Sequence, residues 1–208
     1  MEGGEHGRRR MQMVEAGSVL DRSGVMSHTG HINFSTRIDE RRMMLTSSGL
    51  IAELRPEALA VVDFDGNVEE GRLNPSTIEI VGMHAAVYRL RADVGAVLHT
   101  HSPHVTAFAL ANEPLPCRYE ALLRRGQPGA VPVVGWAPRG SQEFFDGIAA
   151  TLATASETSA LLLGNHGVLA FGSSALAAVK LLIVLEEAAE AELRAAAIGG
   201  AKDLRSAG

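Results

Sequence analysis

The sequence predicts a domain of mixed α/β class, in which helices are layered on a sheet. Short apolar runs bounded by turn residues alternate along the chain with longer segments of helical spacing. Hydrophobic residues make up 46% of the 208 residues and charged residues 21%, a composition that can bury a core and is too apolar for global disorder. We expect a single domain over residues 11–200, a disordered tail over residues 1–10 and a second tail over residues 201–208.

The N-terminal half contains a first helix, several short strands and a second helix. Helical spacing predicts the first helix over residues 11–23. Apolar runs next to turn residues predict strands over residues 31–35, 43–46 and 59–63. Asp65-Gly66-Asn67 is a strong hairpin signal after the third of these strands. Residues 75–91 then form a second helix, with Ser76 or Thr77 as its cap.

The C-terminal half alternates strands and helices in the same way. Strands are predicted over residues 94–98, 131–134, 160–163 and 168–171. Helices are predicted over residues 103–112, 141–156 and 174–198. Pro103 suits the first turn of its helix, and Ser141 suits the cap of the next one. The sequence leaves the order and direction of the strands open.

Charge and cysteine content exclude several classes of function. The net charge of −5 argues against a protein that binds nucleic acid or an acidic membrane. The one strongly basic cluster, Arg8-Arg9-Arg10, lies in the expected tail. The single cysteine, Cys117, cannot form a disulfide within the chain, and no segment suits a signal peptide or a membrane span. We therefore expect a cytoplasmic protein that acts on a small molecule.

Two histidines at the end of a strand carry the strongest chemical signal. The apolar run over residues 94–98 leads into His99-Thr100-His101, and side chains two apart on a strand project from the same face. Asn165-His166-Gly167 supplies a third imidazole in a tight turn. Catalytic zinc typically has three protein ligands and one open position. The pattern favours a metal site at His99, His101 and His166, although polar caps at strand ends would use the same residues.

Two further histidines are weaker candidates for the same site. His104 lies in the first turn of the next helix, where it would be a fourth ligand, a substrate contact or a residue facing solvent. His84 lies in the preceding helix and is expected to pack or to form a hydrogen bond there. We leave both outside the predicted metal ligands.

Six short segments occur along the chain in a fixed order. They cover residues 29–37, 45–49, 74–77, 83–88, 96–103 and 162–167. Together they resemble the class II aldolase/adducin family, which includes fuculose phosphate aldolase and ribulose phosphate epimerase. The resemblance extends over about residues 10–195. Each segment is weak by itself, and it is their common order that makes the resemblance specific.

The resemblance implies a fold, a cofactor and an assembly. The fold of the family is a three-layer α/β/α sandwich with a central, mainly antiparallel sheet. His99, His101 and His166 match the three ligands of the aldolases for one divalent metal ion. Zn²⁺ is the first expectation, and Mn²⁺, Co²⁺ and Fe²⁺ are alternatives. Members are commonly tetramers with active sites at subunit interfaces, so we expect a homotetramer.

The resemblance also implies an acid/base glutamate and a tyrosine. In the aldolases the glutamate lies near the start of the helix before the His-x-His strand, and Glu79 is the candidate here. Counting back from His84 puts Ile80 at the usual position, so a short insertion after Pro75 is needed to restore the register. Otherwise Glu79 only stabilises the helix N-terminus. Tyr119 matches a proton donor that reaches a neighbouring subunit's site, or it is a half-buried structural residue.

Three loops correspond to the phosphate-binding loops of the sugar-phosphate members. Glycine and short hydroxyl residues suit this task because they let backbone N–H groups approach an anion. Ser48-Gly49 and Ser76-Thr77 fit two of the loops. The third has Gly30-His31 where those enzymes usually have Gly-Asn, and this form is similar to dihydroxyphthalate decarboxylase. His31 would then contact a carboxylate or a phenol of an anionic substrate, with Arg118 or His104 assisting.

Three functions remain open at this stage. The leading hypothesis is a metal-dependent carbon–carbon lyase, a class II aldolase that cleaves a ketose phosphate or a related hydroxy-carbonyl compound through a metal-stabilised enediolate. Glu79 and Tyr119 would move the protons. The alternative is a metal-dependent decarboxylase of a hydroxylated aromatic acid, or an epimerase or dehydratase. A non-catalytic adducin-type interaction module would have lost metal ligands, and all three histidines are present here.

Overall fold

The computed structural model describes residues 2–204 and contains one sheet with helices on both faces. The strands are β1 Ile32–Arg37, β2 Arg42–Thr46, β3 Leu59–Asp63, β4 Val68–Glu70, β5 Ala96–Thr100, β6 Val133–Val134, β7 Ala160–Leu163 and β8 Gly167–Gly172. The helices are α1 Glu2–Ser23, α2 Pro75–Leu90, α3 Pro103–Ala111, α4 Glu120–Arg124, α5 Gln142–Thr154 and α6 Ala175–Ala196. Within residues 2–204, no helix is long and apolar enough to span a bilayer.

Eight strands form the sheet in the order β4-β3-β2-β1-β5-β8-β7-β6. Neighbouring strands are antiparallel except β6 and β7, which are parallel. Apolar side chains of α1, α3, α4 and α6 pack on one face, and those of α2 and α5 pack on the other. The three-layer α/β/α sandwich with a mainly antiparallel sheet is therefore confirmed.

Strand β5 lies in the middle of the sheet, between β1 and β8. Its side chains alternate between the two cores: Leu98 packs on the α1/α6 face and Val97 on the α2/α5 face. By the same alternation His99 faces the α2/α5 side, where it is fully buried. The side chain of His99 therefore lies in the protein interior, near the C-terminal end of a central strand.

Helix α1 begins at Glu2, and this corrects the disordered tail predicted over residues 1–10. The basic side chains that suggested a solvated tail bind the body of the protein instead. Arg9 donates to the backbone oxygen of Arg37 at 2.8 Å, and Arg10 donates to that of Pro56 at 2.8 Å. The partners are distant in sequence, so composition alone could not identify them. Residue 1 and residues 205–208 of the predicted tails lie outside the described residues.

The cap that the sequence predicted for α5 is confirmed, and the one predicted for α2 is wrong. Ser141 and Ser174 cap α5 and α6 through their side chains. Helix α2 is capped by Asn74, whose Oδ1 accepts the backbone N–H of Ser76 at 3.2 Å. Pro75 explains this shift: the residue before a proline is held in extended conformation, which is the backbone geometry of a cap. Ser76 and Thr77 therefore lie inside the helix.

Helix α3, which follows the histidine strand, is capped by a side chain from α6. Glu186 is 4% exposed, and its two carboxylate oxygens accept the backbone N–H groups of His104 and Val105 at 2.8 and 2.9 Å. The Nδ1–H of His104 donates to the same carboxylate at 2.8 Å. The ring of His104 thus takes part in the cap of α3, and His104 is absent from the group of described residues whose ligand nitrogens lie within 4.8 Å of one another.

Replacing Glu186 with alanine should lower the free energy of unfolding by about 2–3 kcal/mol, because two amides at the start of α3 would lose a charged acceptor. Urea unfolding followed by circular dichroism measures the change. Glu187→Ala is the matched control, since Glu187 is an exposed carboxylate on the same helix and its removal should cost less than about 0.5 kcal/mol. Equal losses in the two variants would contradict the capping role.

Candidate metal centre

Four imidazoles meet beside the C-terminal end of β5. The ring centroid of His99 lies 5.0 Å from that of His101 and 4.7 Å from that of His166. The centroids of His101 and His166 are 5.1 Å apart, so the three rings form a compact triangle. His31 stacks on His101 with a centroid distance of 4.5 Å. The structure thus brings together the three predicted ligands and adds His31, which the sequence had suggested only for substrate contact.

The ring of His99 is oriented by the neighbouring strand. Its Nδ1–H donates to the backbone oxygen of Val168 in β8 at 2.9 Å. This bond leaves Nε2 without a proton, and Nε2 lies 3.2 Å from Nε2 of His101. Two nitrogens that ligate a tetrahedral zinc at 2.0–2.1 Å are roughly 3.3–3.4 Å apart. The His99–His101 pair therefore fits one edge of a zinc coordination tetrahedron.

Two imidazoles, those of His31 and His166, lie next to the His99–His101 pair. Among the described residues, the set whose ligand nitrogens all lie within 4.8 Å of one another is His31, His99 and His101. His166 stands outside this set although its ring is adjacent to both strand histidines. Nε2 of His31 is 3.0 Å from Nδ2 of Asn33, which identifies that ring nitrogen as a hydrogen-bond acceptor. His166 as the third ligand stays a prediction.

Burial keeps these imidazoles neutral. It lowers the pKa of all four rings, and it lowers that of His99 well below the usual value. The pKa of His101 falls to about 4, with burial as the main cause and the neighbouring imidazoles next. A histidine binds a metal ion through an unprotonated nitrogen. At neutral pH the site therefore presents its nitrogens in the form that ligation requires.

Gly167 lets the strand histidines approach the turn of His166. A Cβ at this position would lie 2.6 Å from the backbone oxygen of Thr100 and 2.8 Å from Cδ2 of His101. Both distances are shorter than real Cβ contacts, so any side chain here would displace the histidine strand. Asn165 adopts a φ of +56°, the left-handed conformation that lets the turn reverse tightly. The glycine in Asn165-His166-Gly167 is thus required by close packing.

Glu79 is near the site but is held by an arginine that the sequence analysis missed. Its side chain is 55% exposed and pairs with Nε of Arg139 at 3.2 Å. Nη2 of Arg139 also donates to the backbone oxygen of Ser76 at 2.6 Å. Ile80, the residue at the usual register for the glutamate, is buried in the core and leaves Glu79 as the carboxylate on this turn. The sequence signal for Arg139 was its place as a basic residue in the loop between β6 and α5, because functional residues often lie in loops.

The loops predicted to bind phosphate lie together at the ends of β1, β2 and α2. The backbone N–H of Ile32 donates to the oxygen of Gly49, and that of Asn74 donates to the oxygen of Ser47, both at 3.0 Å. Gly30 has a φ of +62°, so the turn into β1 uses a conformation that favours glycine. Gly30, Ser48, Gly49, Ser76 and Thr77 are therefore parts of one neighbourhood.

Several donors of these loops already have partners. The backbone N–H of Ser76 donates to Asn74, and the hydroxyl of Thr77 donates to the backbone oxygen of Ser47 at 3.2 Å. The imidazole of His31 lies over Gly49, where a Cβ would be 3.2 Å from its Cε1. An anion bound at these loops would therefore contact the ring of His31. It would also find fewer free hydrogen-bond donors than a glycine loop without these contacts offers.

The remaining candidate residues lie farther from the imidazoles. Tyr119 precedes α4 with 41% of its surface exposed, and within residues 2–204 no hydrogen bond or ring contact joins it to the histidines. Arg118 forms ion pairs with Glu192 and Asp203 at 2.6 and 2.7 Å, so its charge is engaged at α6 and beyond. The role of Tyr119 stays a prediction, and the structure gives Arg118 a structural role.

His84 belongs to a buried network on the other side of the sheet from α1. Its Nδ1 lies 2.7 Å from the hydroxyl of Ser35, which also lies 2.9 Å from the hydroxyl of Tyr88. Complete burial lowers the pKa of His84 to about 3. The expectation that His84 packs or forms a hydrogen bond is confirmed, and its hydrogen-bond partner lies in β1.

Comparison with known proteins finds one family model and several relatives that match most of the chain. Residues 11–193 match the family model "Class II Aldolase and Adducin N-terminal domain". The chain is 32% identical over 182 residues to the 5-methylthioribulose-1-phosphate/5-deoxyribulose-1-phosphate aldolase of Rhodospirillum rubrum, covering 87% of this chain and 78% of that protein. It is 31% identical over 198 residues to the L-ribulose-5-phosphate 4-epimerase UlaF of Salmonella typhi, covering 86% and 82%.

The fold has a close counterpart among solved structures. A structure of L-fuculose 1-phosphate aldolase superposes on the chain with a TM-score of 0.83, covering 96% of this chain and 91% of that one at 26% identity. The similarity extends over the sheet and both helix layers. The relatives of the chain thus include proteins named as sugar-phosphate aldolases and proteins named as ribulose phosphate epimerases.

Proposed function

Because the chain belongs to the class II aldolase and adducin family, we propose that it is a metal-dependent carbon–carbon lyase. Its substrate would be a ketose phosphate or a related anionic hydroxy-carbonyl compound. The observation that carries the proposal is the 3.2 Å separation of the Nε2 atoms of His99 and His101, with two more imidazoles beside them. Paired neutral imidazoles at this distance suit a divalent cation better than they suit a polar cap.

His99, His101 and His166 would hold the metal ion in this proposal, and Zn²⁺ is the ion that the all-nitrogen donor set favours. When bound there, a divalent cation acts as a Lewis acid that stabilises negative charge developing on a substrate oxygen. The Val168 carbonyl fixes the tautomer of His99, and Gly167 keeps the turn of His166 against the strand. His31 would lie at the substrate side of the cluster.

Glu79 would transfer the proton at the reacting carbon, and Tyr119 would transfer the proton at the aldehyde oxygen. Glu79 is supported by its place in the first turns of α2 and by its contact with Arg139 beside the imidazoles. The exposure of Tyr119 supports a role in which it reaches a site on another subunit. We accordingly propose a homotetramer that acts in the cytoplasm in carbohydrate metabolism.

A second candidate, decarboxylation of a hydroxylated aromatic acid, is favoured by His31. Its ring covers Gly49, which lies in one of the loops predicted to bind phosphate. Epimerisation is supported by the similarity to the ribulose phosphate epimerase. In all three reactions a divalent cation would stabilise negative charge that develops on a substrate oxygen. The identity of the substrate therefore decides which reaction takes place.

Metal removal followed by a comparison of substrates tests the proposal. The protein would be stripped with a chelator, reloaded with Zn²⁺, and assayed for cleavage of L-fuculose 1-phosphate and for release of carbon dioxide from 2,3-dihydroxybenzoate. We expect cleavage to fall at least about 100-fold on stripping and to return with Zn²⁺. Activity that survives complete metal removal would refute the lyase proposal, and carbon dioxide release without cleavage would favour the decarboxylase.

A further inference from the structure

Arg139 occupies a loop that connects the two sides of the histidine site. At its start the loop lies against the turn of His166, because a Cβ on Gly164 would be 2.9 Å from the backbone oxygen of Val134 and 3.1 Å from the nitrogen of Trp136. At its end a Cβ on Gly140 would be 3.2 Å from Cβ of Glu79. The loop therefore runs from the imidazole turn to the first turns of α2.

Arg139 lies beside the histidine site, because its loop starts against the turn of His166 and its guanidinium pairs with Glu79 at 3.2 Å. Its side chain is 42% exposed, so it also faces the solvent from which a substrate would enter. A cation in this position attracts an anionic group toward the mouth of the site.

The contacts of Arg139 leave part of its hydrogen-bonding capacity available. Nε pairs with Glu79 and Nη2 donates to the backbone oxygen of Ser76, while no partner of Nη1 is recorded within residues 2–204. The nearby loop supplies few competing donors, since the Ser76 N–H and the Thr77 hydroxyl are already bonded. An arginine fork is well suited to hold two oxygens of a carboxylate or a phosphate.

We propose that Arg139 determines specificity by binding the anionic oxygens of the substrate at the mouth of the histidine site, in place of its present bond to Glu79. This deepens the proposed function and rests on it for the identity of the bound end of the substrate. Binding of the anion and release of Glu79 are thereby linked. The anion of the substrate binds the guanidinium of Arg139, and the Glu79 carboxylate becomes free to accept a proton. A neutral substrate would leave Glu79 paired.

The test uses three hydroxamates that share one metal-binding group. Acetohydroxamate has no charged tail, malonohydroxamate carries a carboxylate, and phosphoglycolohydroxamate carries a phosphate. Calorimetric titration of the zinc-loaded protein measures the dissociation constant of each. We expect at least one anionic compound to bind the wild type about tenfold or more tightly than acetohydroxamate. The tail that gains more identifies the substrate as a carboxylate or a phosphate.

The variants separate Arg139 from the rest of the site. Arg139→Gln should reduce the preference for the anionic compounds to about threefold or less while binding of acetohydroxamate and zinc content stay unchanged. Glu79→Gln should raise the affinity for the anionic compounds, because it removes the competing carboxylate. Arg124→Gln is the matched control, since Arg124 is another exposed arginine that pairs with a single glutamate.

The outcomes that overturn the proposal are distinct from those that overturn the metal function. An Arg139→Gln variant that keeps the anion preference, or one that loses acetohydroxamate binding to the same extent, would refute the role of Arg139. A wild type that binds all three compounds equally would refute it as well. A wild type that retains no zinc, yet keeps an anion preference that Arg139→Gln removes, would contradict the metal function and leave this proposal standing.

Discussion

Replacing His99 with alanine should abolish zinc retention and lower kcat/KM at least about 1000-fold, because a loss of roughly 4 kcal/mol in transition-state stabilisation corresponds to that factor. His99 is the buried member of the 3.2 Å nitrogen pair, and its ring is oriented by the backbone oxygen of Val168. Zinc content by atomic absorption after dialysis and cleavage of a ketose phosphate measure the two effects. His28→Ala is the control, since His28 is exposed and precedes the site.

The same measurement applied to His166 and His31 decides the third ligand. We expect His166→Ala to lose zinc as His99→Ala does, and His31→Ala to keep zinc while changing the affinity for substrate. The reverse pattern would assign the metal to the set of nitrogens that already lie within 4.8 Å of one another, with His31 as a ligand. Full activity and full zinc content in His99→Ala would contradict the metal centre altogether.

Replacing Glu79 with glutamine should lower kcat by about 100-fold to 10,000-fold while zinc content stays unchanged, because the amide cannot accept the proton that the carboxylate accepts. Single-turnover cleavage of a ketose phosphate, followed by the appearance of the aldehyde, measures the chemical step. The size of the loss separates a catalytic carboxylate from one that only favours the start of α2, which would change stability by a few tenths of a kcal/mol.

Glu143→Gln provides the matched control for Glu79. Glu143 is another exposed glutamate near the start of a helix, α5, and its replacement should leave kcat within about twofold. If Glu79→Gln keeps kcat within about twofold, as expected for Glu143→Gln, then Glu79 does not act as an acid/base group. Loss of zinc from Glu79→Gln would show instead that the carboxylate supports the metal site.

The parts of the fold that the sequence predicted are those governed by local rules. The apolar run before His99, the hairpin at Gly66 and the cap at Ser141 depend on residues near one another in the chain. The start of α1 could not be predicted in this way, because its basic residues bind carbonyls some thirty to fifty positions away. The alternation of apolar side chains carries no information about such distant partners.

In the candidate site, too, the sequence predicted the features that depend on local spacing and missed those that depend on contacts between distant segments. The spacing of His99 and His101 on a strand was enough to predict that their rings would meet, and the turn at His166 was correctly placed beside them. The position of His31 depends on the pairing of β1 with β5, which the sequence left open. Arg139 reaches the site from a loop whose course is fixed by the parallel pairing of β6 and β7, a further contact between distant segments.

The central place of β5 in the sheet has a consequence for the order in which the protein can be made. Its partners come from both ends of the chain: Asn33 of β1 lies opposite His99 on one side and Leu169 of β8 on the other. A nascent chain on the ribosome therefore lacks the Val168 carbonyl that orients His99, and His166 as well, until synthesis has passed β8. A metal ion held by His99, His101 and His166, as proposed, would thus stabilise only the late stages of folding, after both halves of the sheet have met.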